Sequence, residues 1–236
     1  MSKKWFIPFC LILLTLSGCL YPEERKLQNR IPYQDQITAV QKAIDSFQKD
    51  TGVLPIETKD GNTDVFQKYV IDFNKLVPKY MQEPPGNSFE KGGTFLYVLT
   101  DVETNPTVKL ADLVMTDKVQ DIQVALKVYM SKHKYPPFKE IVASGRYTLD
   151  YKKLGYKKDP TVKSPFTGKQ LPLMINNDTK LFIDYRKDLR VAMSSNPKDI
   201  KKHEDIRYLL ADHSFFVPIY SVPYTVENNK PVFLIK

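Results

Sequence analysis

Apolar residues along this chain follow three patterns, and each predicts a different kind of element. The first is an unbroken run from Trp5 to Leu16, preceded by Lys3 and Lys4. At roughly a dozen residues it is too short to cross a bilayer, which takes about 20, and it has the length and flanks of a signal-peptide core. The second pattern is a helical stripe that occurs twice. Ile37, Val40, Ile44 and Phe47 share the i, i+3, i+7, i+10 spacing of Val119, Ile122, Leu126 and Tyr129, which puts each set on one helix face. The third is a set of short strand-like clusters between turns: Phe95-Leu96-Tyr97-Val98-Leu99 with Thr107-Val108-Lys109-Leu110, and Leu171-Pro172-Leu173-Met174-Ile175 with Leu181-Phe182-Ile183.

These elements recur in one order, so the chain reads as a repeat of about 80 residues. Each stripe ends at prolines, Pro55 in the first copy and Pro136-Pro137 in the second, with Gly52 suited to a left-handed helix stop. Thr116-Asp117 is the expected N-cap and acidic first turn of the second helix. Tyr69-Val70-Ile71-Asp72-Phe73-Asn74-Lys75-Leu76 then matches Tyr147-Thr148-Leu149-Asp150-Tyr151-Lys152-Lys153-Leu154. Helix, loop, hairpin without strand–helix–strand alternation predicts an α+β fold: two tandem modules, each a helix on a small antiparallel sheet. The C-terminal part differs. Asn196-Pro197 reads as a helix start, with Ile200, His203, Ile206, Tyr208 and Leu210 following, and Asn228-Asn229 reads as the turn of a hairpin. The expected segments are 1–18, 19–33, 34–114, 115–193 and 194–236: signal, polar tether, first module, second module, and C-terminal helix and hairpin.

The end of the first run, Leu16-Ser17-Gly18-Cys19, resembles the lipobox of bacterial lipoproteins. That resemblance implies cleavage before Cys19, diacylglycerol on its thiol, and a chain held on the extracytoplasmic face of a cell membrane. Cys10 leaves with the signal and Cys19 is consumed by lipid, so no thiol remains for a disulfide, a nucleophile or a metal. The repeated body resembles the globular heads of pseudopilins and type IV pilins over Gln34 to Met193, on the helix ending Asp50, Gly52, Pro55 and on Tyr135-Pro136. A lipid anchor stands where pilins have a leader and an apolar stem, so the resemblance implies the fold and not a filament. The whole chain is also similar to lysine-rich lipoproteins of low-GC Gram-positive bacteria.

Charge and chemistry narrow the function. The formal net charge is +8, and loss of Lys3 and Lys4 leaves +6. Lysine predominates, which suits a solvated surface, anionic headgroups or anionic wall polymers; a secreted chain meets no nucleic acid. No Gly-x-Ser-x-Gly, phosphate-binding glycine loop or His-Glu-x-x-His occurs. The three histidines, His133, His203 and His213, lack metal-ligand spacing. Asp72 and Asp150 repeat, which suits helix caps better than an acid/base couple, since each belongs to its own copy. Asp101, Glu103 and Asn105 alternate oxygen ligands in a loop comparable to the calcium loop of G-type pseudopilins, and Asn176-Asn177-Asp178 holds the matching place; turn chemistry accounts for both sets. Phe215, Phe216, Tyr220 and Tyr224 suit either a binding face or a seam against the preceding domain. The expectation is a non-enzymatic binding or scaffolding lipoprotein with no cofactor and no metal, whose partners are the membrane through Cys19 and anionic wall polymers or an envelope protein. The alternatives are the solute-binding lipoprotein of an ABC-type uptake system, to be told by a deep interlobe cleft, and a wall-active enzyme.

Overall fold

Helix α1, Tyr33–Thr51, turns Ile37, Val40, Ala43 and Ile44 inward, as its stripe predicts. It stops at Gly52, whose φ of 73° is left-handed and whose N–H donates to the Gln48 carbonyl at 2.8 Å. The structure is a computed structural model and describes residues 33–57, 59–195 and 204–235. After Pro55 the chain makes an antiparallel bridge between Ile56 and Ile71. A short helix α2, Val65–Lys68, lies within the intervening loop. Asp72 then caps α3, Phe73–Leu76, accepting from the Asn74 N–H at 3.1 Å. Strands β1, Phe95–Thr100, and β2, Thr107–Asp112, form a hairpin with Tyr97 opposite Leu110.

The second module repeats this course. Helix α4 runs from Leu113 to His133 and stops at Lys134, left-handed at φ 67°, with its N–H on the Met130 carbonyl. Its N-cap is Asp112, the last residue of β2, and not the expected Thr116-Asp117. The Asp112 carboxylate accepts from the Val114 N–H at 2.9 Å, so strand passes into helix with no linker and the second module starts about one turn earlier than its apolar pattern suggests. Strands β3, Phe138–Ala143, and β4, Arg146–Leu149, follow Pro136-Pro137. Asp150 caps the 3-10 turn Tyr151–Leu154, and β5, Thr161–Lys163, β6, Gln170–Asn176, and β7, Leu181–Ile183, complete a five-stranded antiparallel sheet.

Backbone pairing gives the correspondence between the copies. Ile56 pairs with Ile71 as Phe138 pairs with Leu149. The Asp72 and Asp150 amides donate at 2.8 Å to the Pro55 and Pro137 carbonyls respectively. Tyr97 faces Leu110 as Leu173 faces Ile183. In both copies the helix packs on the outer strand of the hairpin, β2 or β7.

The C-terminal part binds both copies together. Helix α5, Arg186–Ser195, has no counterpart in the expected pattern; α6 is the short Tyr208–Asp212. The expected start at Asn196-Pro197, with Ile200 and His203, lies outside the described residues. From α6 the chain runs along β2, the Leu110 N–H donating to the Phe215 carbonyl at 2.8 Å and the Val217 N–H to the Leu110 carbonyl at 3.0 Å. It then reaches β7, where the Ile183 N–H donates to the Tyr220 carbonyl at 2.7 Å. Leu110 and Ile183 are the equivalent residues of the two hairpins, so one segment pairs with the same strand position twice. Strands β8, Tyr224–Glu227, and β9, Lys230–Phe233, close on Asn228 and Asn229, both at positive φ as a two-residue hairpin turn requires.

Two hydrophobic cores result. One lies between α1, α3 and one face of β1–β2, around Ile44, Leu76, Tyr97 and Leu110. The larger one gathers α4, β6, β7 and α5 with Leu209, Leu210, Val217 and Tyr224, and takes Val98 and Ala111 from the other face of β1–β2. The first hairpin is therefore buried on both sides, by its own helix and by the C-terminal part. Lys109 shows how completely: its ammonium is buried and donates to the Ala211 and Ser214 carbonyls at 2.6 and 2.8 Å, capping the C-terminal end of α6.

Candidate functional site

A cleft of ≈ 700 Å³ opens where the two modules meet. One wall is the first two turns of α4, which project Val114, Asp117, Lys118 and Asp121. Spacings of three and four residues put these on the helix face turned away from the core residues Met115, Val119 and Ile122. The facing wall is β5 with the turn behind it, Thr161 to Pro165, which holds its shape because the Ser164 hydroxyl accepts from the Phe166 and Thr167 amides.

The end of the cleft is aromatic. Tyr33 at the start of α1, Phe95 on β1 and Phe216 on the C-terminal segment form a triangle with ring centroids 5.3, 5.9 and 5.7 Å apart. Both Tyr33 contacts are edge-to-face, the favoured arrangement of ring quadrupoles, worth about 0.5–1.5 kcal/mol beyond area burial. Phe95 is nearly buried whereas Tyr33 is 45% exposed, so the triangle is anchored inside and presents a ring outside. Three strands of sequence far apart thus supply one apolar corner.

Electrostatically the cleft runs against the rest of the protein. Asp112, Asp117 and Asp121 line it with Lys118 and Lys163, in a chain that is strongly basic overall. Burial pushes the Asp112 carboxyl above the ordinary aspartate range, against the Val114 and Met115 amides that hold it down. Lys118 leans over the Tyr156 ring, 5.9 Å from its centroid. The corner offers ring faces and carboxylates, which suits a ligand with apolar surface and hydrogen-bond donors.

The residues singled out in the sequence fall elsewhere. Leu16, Ser17, Gly18 and Cys19 lie outside the described residues. Asp72 and Asp150 are caps, each bonded within its own module, with Lys75 and Lys153 one turn on at 3.6 and 3.9 Å. Asp101, Glu103 and Asn105 sit exposed in the β1–β2 loop, where the Asp101 carbonyl accepts from the Thr104 and Asn105 amides. In the β6–β7 loop the Asn176 side chain accepts from the Lys180 N–H and Asn177 receives the Tyr147 hydroxyl. Among the described residues no group of three or more His, Cys, Asp or Glu could hold a metal ion. His133 stacks on Tyr129 and His213 follows the last turn of α6; His203 is not described. Of the C-terminal aromatics, Tyr224 is fully buried, its hydroxyl accepting from the Tyr185 amide and donating to the Ile183 carbonyl. Phe216 fills the seam and faces the cleft as well. Sequence reasoning missed Tyr33, Phe95, Asp112 and Asp121, which no local spacing connects.

A second, smaller cavity of ≈ 260 Å³ lies beside α5 and is lined by Phe166, Thr167, Asp188, Leu209 and His213 among others. Asp188 is buried, takes the Thr167 hydroxyl on one oxygen, and has no partner for the other. Burial raises its pKa, only partly opposed by the Thr167 and Ser164 hydroxyls.

Residues 33–112 match a family model described as the YphF family N-terminal domain. The match begins at the first residue of α1 and ends at the last residue of β2, so it covers the first module and stops at the α4 cap. No curated protein and no solved structure matches the chain.

Proposed function

We propose that this is a lipid-anchored lipoprotein of the extracytoplasmic face with a non-enzymatic binding role at the cell envelope, and that the cleft between its modules is the binding face. The observation that carries the reading is the junction itself. One C-terminal segment hydrogen-bonds the equivalent strands of both modules, and the seam so fixed gathers the exposed Tyr33 ring of the first module and the Asp117 and Asp121 carboxylates of the second along one cleft. The lipobox Leu16-Ser17-Gly18-Cys19 supports the anchor, and Tyr33, the last residue of the expected tether, lines the cleft. Carboxylates in the cleft favour a protein segment there, and leave anionic wall polymers and headgroups to the lysine-rich exterior.

The cleft also bears on the solute-receptor alternative, since its volume falls in the range of small-molecule sites. Two-lobed receptors close around a solute by a hinge, however, and here the modules share a core and a common strand partner. The macromolecular reading therefore stands first.

Two measurements test it in the native cell. Fatty-acid analogue labelling should mark the wild type and not Cys19→Ala; retained label in the variant would remove the anchor. Photo-crosslinking residues placed at Tyr33 and Lys163 should give an envelope-protein adduct that Val53, exposed beyond the end of α1, does not give. Adducts at all three positions alike, or at none, would remove the cleft from the proposal.

A further inference from the structure

Strand β5 presents a free edge to the cleft. Along the path β3–β4–β6–β5 the two ends of the sheet are β3 and β5. The β3 edge is interrupted by two register shifts against β4, a device that blunts an edge, whereas β5 stays in register with β6. The direction of the β5 backbone follows from its partners. Thr161 stands opposite Pro172, which has no N–H and whose carbonyl accepts from the Asp184 amide on its other side. The Ser164 N–H donates to the Lys169 carbonyl, so by alternation Val162 bonds β6 while Thr161 and Lys163 turn their N–H and C=O groups outward. All three residues of β5 line the cleft although their side chains alternate in direction, so the cleft runs along this edge.

We infer that an extended, basic segment of the envelope partner adds to β5 as a further strand, an inference that rests on the cleft being the binding face. Backbone pairing supplies affinity in such an addition, and alternate side chains supply specificity. Charge selects the segment. Phe95 pairs with Asp112, so α4 leaves the aromatic corner and carries Val114, Asp117 and Asp121 along the cleft in that order. Both of these last aspartates are exposed, and neither has a salt bridge among the described residues. Four residues of helix separate them by about 6 Å, and alternate side chains of an extended strand are about 6–7 Å apart. Lys or Arg at two alternate positions therefore meets both carboxylates. The next side chain on that face, toward the corner, is apolar and meets Val114 and the Tyr33 ring. Lys118 is drawn aside over the Tyr156 ring, and Lys163 disfavours a further basic residue between the two.

The test takes the full-length protein in detergent micelles and a fluorescein-tagged peptide, Ile-Thr-Lys-Thr-Lys-Thr, with fluorescence anisotropy as the readout. The wild type should bind it about tenfold or more tighter than the same peptide with Glu for both Lys, and Asp117→Lys with Asp121→Lys should reverse that preference. Thr161→Pro removes an outward N–H and no bond to β6, so binding should weaken about tenfold with unchanged circular dichroism. N-methylation of one alternate set of peptide amides should abolish binding, and methylation of the other set should not. Equal affinities for the Lys and Glu peptides, or for the two methylated sets, would overturn the inference. Binding that emerges only when Arg25, Lys26 and Arg30 are replaced by Ser would put the chain's own tether on β5 instead of a partner. In the native cell, a Lys163 crosslink that joins two copies of this chain would likewise put a second copy there. Envelope-protein crosslinks from Lys163 should be lost in Asp117→Lys with Asp121→Lys. Crosslinks that persist in that variant would overturn strand addition and leave the cleft as the binding face, whereas their absence from the wild type would remove the reading beneath it.

Discussion

Arg207, at the start of α6, holds Asp64, at the start of α2, at 2.7 Å across 143 residues of sequence. The Arg207 side chain is 5% exposed and also binds Asp205 and the Ser221 hydroxyl, while its Cζ lies 5.1 Å from the centre of the Phe66 ring. Asp64 in turn caps α2 through the Phe66 N–H. The loop that separates the first module from the second in length is thus fastened to the C-terminal part by one buried cation.

Truncation of that cation should be costly. Arg207→Ala leaves the Asp64 and Asp205 carboxylates partly buried without their counter-charge, a loss of about 3–5 kcal/mol. Arg207→Lys should recover only part of it, since an ammonium cannot serve three acceptors in fork geometry. Denaturant unfolding checks both, and an Arg207→Ala midpoint equal to the wild type would show that the network contributes nothing.

Asp72 and Asp150 are the residues a motif search would take for a catalytic pair, and their geometry predicts otherwise. Each accepts a backbone N–H two residues on, Asn74 or Lys152, at the start of its own short turn. Replacement by Ala should cost about 0.5–2 kcal/mol at either site, and replacement by Asn far less, because an amide oxygen can take the same bond. Unfolding midpoints compared for Ala and Asn at each position decide it. Equal, negligible losses would refute capping, and an Asn variant that folds normally but loses a cellular phenotype would restore a functional role.

What could be read from the sequence was what repeats or what is local. The core faces of α1 and α4, the Asp72 and Asp150 turns, and the Asn228-Asn229 hairpin follow from spacing and turn chemistry. Helix α5 was hidden because its inward face includes Asp188, a residue that reads as solvent. Lys109 misleads in the same way: it is a buried cation whose partners, the Ala211 and Ser214 carbonyls, lie about a hundred residues away. Lys134 holds the left-handed position that Gly52 fills in the first copy, so the second helix stop had no glycine to announce it. The cleft is a product of tertiary packing, since Tyr33, Phe95, Asp121, Lys163 and Phe216 come from separate elements and no window of sequence contains two of its walls.

Asp188 gives the protein a pH dependence whose sign follows from its burial. Its carboxyl is held above the ordinary aspartate range because desolvation outweighs the hydroxyls of Thr167 and Ser164. The folded state therefore binds this proton more tightly than the unfolded chain. Its contribution to stability is full below the unfolded aspartate value, about pH 4, and is lost as pH rises through the raised folded value. Asp112 is shifted in the same direction and adds to the same slope. Asp188→Asn carries no charge at any pH and can still accept the Thr167 hydroxyl on its amide oxygen, so it removes one of the two contributions and leaves the other. Unfolding midpoints from about pH 4 to 7 should then fall less steeply for Asp188→Asn than for the wild type, with the variant gaining relative stability as pH rises. Curves that run parallel across that range would mean that the Asp188 proton has the same affinity in both states, and that its second oxygen is solvated in the folded protein.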